Sequence, residues 1–331
     1  MKTYLPYSLI LAAAASGMAF GAETAYTTPV GYVSLGNAGS VPATTDMPIA
    51  IPLERAAAFA GTVASISGST VTITGTPGFT LTQFTAIPHV LKIGSGAKSG
   101  LTALVSGTPT SNTVTVLFQN TDSLASVVAG DKVSIRPAWT VKSFVTATTL
   151  PNFCEFGVWE GSTGVDLAPD KVYYNFAGNW FDQADDSDAN NIVIYPNEGF
   201  RLRNTSATAV AGLVVSGEVP VANSRVFVNG EAAQQDNQIS YFSPVDELLG
   251  NANLGAGNFD QLLAFDVTAT GFDNAPAFTY YYFGGTWFNA ADDSPVSATV
   301  SVKPGVRYIY RAEPGRADTL LSDQPTYVPS L

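Results

Sequence analysis

The chain has 331 residues, with 15 Lys plus Arg against 27 Asp plus Glu and a formal net charge of −12. That acidity repels phosphate backbones, and no basic cluster offsets it, which argues against nucleic-acid binding. Cys154 and His89 are the only residues of their kinds, so no intramolecular disulfide can form, and a histidine triad or Cys/His zinc site is hard to assemble.

The first 22 residues read as a signal peptide. Lys2 supplies the positive charge, LPYSLILAAAASGMAF (5–20) the apolar core, and Ala19 and Gly21 the small residues before a cut. The core is shorter than the roughly 20 apolar residues of a spanning helix, and no later run supplies a second span. The expected location is the periplasm, the cell surface or the extracellular medium, with no integral membrane segment after cleavage. An outer-membrane barrel would need alternating strands of about ten residues, and the strands here are shorter.

The remainder predicts an all-β fold: two related β-sandwich-like repeats plus an inserted small β-barrel or β-sandwich domain. Thr, Val, Phe and Tyr recur in short alternating runs, which suit pleated, half-buried surfaces, and no stretch carries sustained helical periodicity. Residues 23–55 predict N-terminal strands packing on the main body, and 56–137 the small inserted domain. Within it, GTVASISGSTVTITG (61–75) alternates on both sides of Gly68 and Ser69, a hairpin with a tight turn. Residues 138–222 and 223–331 predict repeats 1 and 2. Cys154 reads as a small buried hydrophobe.

The duplication is explicit. TGVDLAPDKVYYNFAGNWFDQADDS (163–187) and TGFDNAPAFTYYYFGGTWFNAADDS (270–294) align without a gap, with 15 of 25 positions identical. In each copy an aromatic strand enters a Gly-containing turn, a Trp-Phe pair leaves it, and an acidic loop follows, which is hairpin chemistry. The YYxFxGxWF blocks, together with GDKVSIRPAWTV (130–141), YFSPVDELLGNANL (241–254) and IPLERAAAFAGTVASISGSTV (51–71), resemble an uncharacterised, multi-paralogue family of exported β-rich proteins from Verrucomicrobia. The resemblance implies export and a repeated β-architecture, and it carries no known activity.

Two groups of residues are candidate sites. Asp182, Asp186, Asp188 and Asn190 lie in an acidic loop whose D-x-D-x-N pattern resembles the opening of a calcium loop, since hard cations need several nearby oxygens. The same residues also read as a solvated turn whose side chains bond their own backbone. Trp180, Trp287, Tyr174 and Tyr281 offer flat apolar area with polar tips, suited to ligand stacking. Strand alternation sends part of such a set to the core.

No constellation of catalytic residues emerges. The leading expectation is an exported, non-enzymatic structural or binding protein of the cell envelope or surface, acting through β-domain assembly or adhesion. Its partner would be a second copy, another envelope component or a glycan. A carbohydrate-binding module using the repeated aromatics is the second reading, and a carboxylate-based hydrolase the third. No cofactor is expected apart from calcium at the acidic loop.

Overall fold

The computed structural model describes residues 28–328 except 121, 146–149, 162 and 256, so the signal peptide expected at 1–22 lies outside the described residues. Short strands dominate, and the one α-helix among the described residues is the five-residue Leu81–Thr85. No helix among them is long and apolar enough to cross a membrane. The fold is all-β.

Each half of the duplication forms a five-stranded antiparallel sheet. In the first half the strand order is Asn179–Asp182, Lys171–Phe176, Glu155–Val158, Phe200–Asn204, Thr45–Ile49. In the second it is Thr286–Asn289, Phe278–Phe283, Gln261–Ala264, Tyr308–Ala312, Gln235–Ile239. A two-stranded ribbon accompanies each sheet, Val30–Ser34 with Val214–Glu218 in one half and Ser224–Val228 with Thr319–Asp323 in the other. Each half has its own apolar core, centred on Phe144, Phe156, Trp180 and Phe200 in the first and on Leu262, Trp287 and Tyr310 in the second.

The N-terminal strands are integral to the first repeat. Thr45–Ile49 hydrogen-bonds Phe200–Asn204 as the fifth strand of its sheet. The repeat therefore runs 30–49, stops, and resumes at 139–218. TDMPI and its counterpart QDNQI share only the Asp and the final Ile, so the strand is hard to see as half of a duplication. Pro48 sits on this strand, at the edge of the sheet where a missing N–H is tolerated.

Between the two parts of repeat 1 lies a closed six-stranded barrel, from Phe59–Ser67 to Lys132–Pro137. Its inward-facing residues, among them Val63, Val71, Ile73, Leu91 and Val133, form a third core. The hairpin at 61–75 turns through Gly68, whose φ of 59° suits glycine. Ion pairs fix the barrel to both repeats. Glu54 is bonded to Lys92 and, at 2.8 Å, to Arg136, which also reaches Glu218 at 2.9 Å, while Arg225 holds Asp122 at 2.7 Å.

The two repeats clasp each other by matched contacts. Arg203 grips Asp46 of its own sheet through two bonds of 2.7 Å, and reaches Asp273 of the other repeat at 2.6 Å. Arg311 does the same with Asp236 (2.6 and 2.9 Å) and Asp166 (2.7 Å). The backbone N–H of Asp46 donates to the Gly271 carbonyl and that of Asp236 to the Gly164 carbonyl, both at 2.9 Å. Four residues further on, Ala50 donates to Gly305 at 3.0 Å and Ser240 to Asn197 at 2.9 Å. Each repeat thus uses its TGxD loop and its Pro-containing turn to cover the outer strand of the other, satisfying backbone groups that a free edge would leave open. Asp166 and Asp273 both adopt φ of 54°, a left-handed conformation that aspartate tolerates better than most residues.

Candidate binding faces

Pleat alternation divides the aromatic candidates between two faces. In the register Asn175↔Trp180 and Tyr174↔Phe181, Trp180 shares a side of the sheet with buried Tyr173 and Asn175, whereas Tyr174 points the other way. The register Tyr282↔Trp287 and Tyr281↔Phe288 repeats this in the second sheet. Trp180 and Trp287 are each only 2 % exposed and belong to the two cores, so neither offers a ligand surface. Tyr174 and Tyr281 lie on the outer faces.

There each tyrosine is one rung of an aromatic ladder. Phe153 stacks on Tyr174 at 6.1 Å and packs against Phe176 at 5.6 Å, and Tyr174 meets Phe181 at 5.6 Å. In the second repeat Phe259 stacks on Tyr281 at 6.5 Å and packs against Phe283 at 5.2 Å, and Tyr281 stacks on Phe288 at 5.4 Å. The outer rings are open to solvent: Phe153 is 56 %, Phe176 46 %, Phe259 54 % and Phe283 47 % exposed.

The ladders are held at a local cost. Phe153 and Phe259 adopt φ of 65° and 70°, a left-handed backbone that a bulky residue rarely takes. Such a conformation costs on the order of 1–3 kcal/mol and persists only where its surroundings impose it. Here the N–H of Phe153 donates to the Asn175 carbonyl at 2.6 Å, and that of Phe259 to the Tyr282 carbonyl at 2.7 Å. The preceding Asn152 and Asn258 accept from the Ala177 and Gly284 N–H groups across the hairpin turn, at 2.9 and 3.0 Å. The shared Asn-Phe dipeptides lie just outside the aligned block, which is why the sequence did not flag them as ladder residues.

The acidic loops finish the ladders. Tyr174 donates its hydroxyl to Asp186 at 2.8 Å, and Tyr281 donates to Asp293 at 3.0 Å. The bond to Asp186 raises the Tyr174 pKa above its ordinary value. The other candidate calcium residues already have protein partners, Asp182 also facing Lys171 at 3.5 Å. Asp182 caps the Ala184 N–H at 2.9 Å, Asp188 the Asn190 N–H at 2.8 Å, and Asn190 the Trp180 N–H at 3.0 Å. Among the described residues no group of three His, Cys, Asp or Glu side chains is arranged to hold a metal ion. Asp182, Asp186, Asp188 and Asn190 each accept a hydrogen bond from within the hairpin and its loop.

Cys154 is buried, its Sγ 3.7 Å from Asn204 Oδ1, and burial pushes its thiol up to about 11. His89 is buried with Nδ1 2.8 Å from the Ile87 carbonyl and its ring edge-on to Phe84. No family model, curated protein or solved structure matches the chain.

Proposed function

We propose that this is an exported, non-enzymatic binding protein of the cell envelope or surface, and that its two ladders stack on the sugar rings of a glycan chain. The observation that carries this reading is the repetition of an exposed, backbone-strained aromatic face in both halves of the duplication. Exposed rings in a contiguous patch are favourable binding surface and unfavourable solvent-facing surface. Phe153 and Phe259 keep their left-handed conformations although both rings are more than half exposed and contribute little burial in return. Ring faces supply flat apolar area for sugar C–H groups, while Tyr174–Asp186 and Tyr281–Asp293 supply polar groups at the rim for hydroxyls.

Two equal faces on one chain also fit a repetitive partner. A polymer that spans both gains an intramolecular second contact, so modest single-face affinity becomes strong overall binding. The signal-peptide pattern of residues 1–22 supports export, and an exported protein would meet such a partner outside the cytoplasm. Co-sedimentation of the full chain with cellulose, xylan, chitin and mannan tests the reading. Retention on at least one polymer, lost when Phe176→Ser and Phe283→Ser are combined, is the expected result. Recovery of the protein in every supernatant would contradict it.

A further inference from the structure

We propose that the cleft where the two repeats and the inserted barrel meet is a second, separate site, which takes a short segment of uncharged oligosaccharide. This proposal does not rest on the ladders. The cleft has a volume of about 850 Å³, within the range of roughly 300–1,000 Å³ of ligand-binding pockets. Three parts of the fold build it. The barrel contributes Gln119 and Asn120, the first repeat the segment around Glu160 and 191–200, and the second repeat Phe227 and the strand Gln235–Ile239. The barrel interrupts only the first repeat, so this third wall has no counterpart in the second.

The chemistry of the walls selects the ligand. Arg225 is the one Lys or Arg among the lining residues, and Asp122 already holds its guanidinium at 2.7 Å, while Glu160, Glu198, Glu231, Asp236 and Asp318 share the walls, so the lining disfavours an anion. Glu198 sits on the cleft wall, bonded to the Gln119 side chain, with Glu160 beside it. Burial and, to a smaller extent, the Glu160 charge push the Glu198 carboxyl up to about 7, so below neutrality it is largely protonated. It then offers an O–H donor beside carboxylate acceptors and makes a weaker demand for a cation. The Asn120 side chain, whose oxygen accepts from the Asp122 N–H at 2.9 Å, and the Gln119 side chain bonded to Glu198 add further amide donors and acceptors at this wall. Adjacent sugar hydroxyls need that mixture, and the half-buried rings of Tyr195 and Phe227 provide flat apolar surface beside it.

Isothermal titration of the full chain at pH 6 with gluco-, xylo- and manno-tetrasaccharides tests this, with spermidine and inorganic phosphate as charged probes. Saturable binding of at least one tetrasaccharide is expected, with neither charged probe binding. Tyr195→Ala and Glu198→Ala should each weaken it tenfold or more, while Phe176→Ser with Phe283→Ser leaves it unchanged. Thermal melts identify variants that have failed to fold. For those, the exposed Asn120→Ala, expected to weaken binding severalfold, takes their place. Three results would overturn the proposal: binding to none of the tetrasaccharides, binding of spermidine or phosphate in their stead, or saccharide binding that responds to the ladder substitutions and not to the cleft ones.

Discussion

Arg311 of the second repeat holds Asp166 of the first at 2.7 Å, and Arg203 of the first holds Asp273 of the second at 2.6 Å. The two bonds are equivalent under the duplication, and each arginine also binds a well-buried aspartate of its own sheet, Asp236 or Asp46. The partners differ in burial: Asp46 is 9 % exposed and Asp273 74 %. Breaking a buried pair from one side strands a charge, at about 3–5 kcal/mol, whereas an exposed pair contributes about 0–1 kcal/mol. Arg203→Ala is therefore expected to destabilise by about 3 kcal/mol and Asp273→Ala by about 1 kcal/mol or less. Urea unfolding of both variants measures the difference. Equal losses would mean that the clasp is not anchored on Asp46.

Strain at the ladder makes a second prediction. Glycine takes φ near 65° without penalty, so Phe153→Gly relieves part of the cost while losing contacts of an exposed ring. Stability is expected to change by no more than about 1 kcal/mol, far below the roughly 3–5 kcal/mol of removing a buried Phe. Glycan retention should fall all the same. A large loss of stability with binding intact would show that the ring serves packing.

The acidic loop is expected to ignore calcium. Its oxygens already cap backbone N–H groups and receive the Tyr174 hydroxyl. Millimolar calcium should leave the melting temperature unchanged, and Asp186→Ala should lower it slightly through the lost tyrosine bond and the left-handed backbone at this position. A calcium-dependent rise that disappears in Asp186→Ala with Asp188→Ala would restore the metal reading.

Glu198 links stability to pH. Its folded-state pKa lies near 7 against an ordinary value of 4.5, so the folded protein holds this proton more tightly than the unfolded chain. The resulting stabilisation is complete below pH 4.5 and is lost as pH rises through about 7. Glu198→Gln removes this contribution. The difference in stability between wild type and variant should therefore change across pH 4.5–7 and level off above it. A difference that stays constant over that window would place Glu198 in a solvent-like setting.

Much of this architecture was legible in the residues. Alternation and turn chemistry exposed the strands, the hairpin through Gly68, the inserted domain and the doubled YYxFxGxWF block. The site was less legible, because periodicity says that neighbouring aromatics face opposite sides without saying which side is the core. Register decides this, sending Trp180 and Trp287 inward and Tyr174 and Tyr281 outward. Phe153 and Phe259 were hidden because they precede the aligned blocks and a left-handed φ leaves no mark on the identity of a Phe. The strand Thr45–Ile49 was hidden because its counterpart lies 190 positions on, beyond the barrel, with little identity beyond the aspartate that meets the arginine. The cleft depends on contacts among three separate units and has no local signature.

The most direct test of the ladder reading is the affinity of wild type, Phe176→Ser, Phe283→Ser and the double variant for one immobilised polysaccharide retained in co-sedimentation. Two equivalent faces acting together predict substantial weakening in each single variant and about 100-fold or greater loss in the double, with melting temperatures near wild type. A double variant that binds as tightly as wild type would contradict the account.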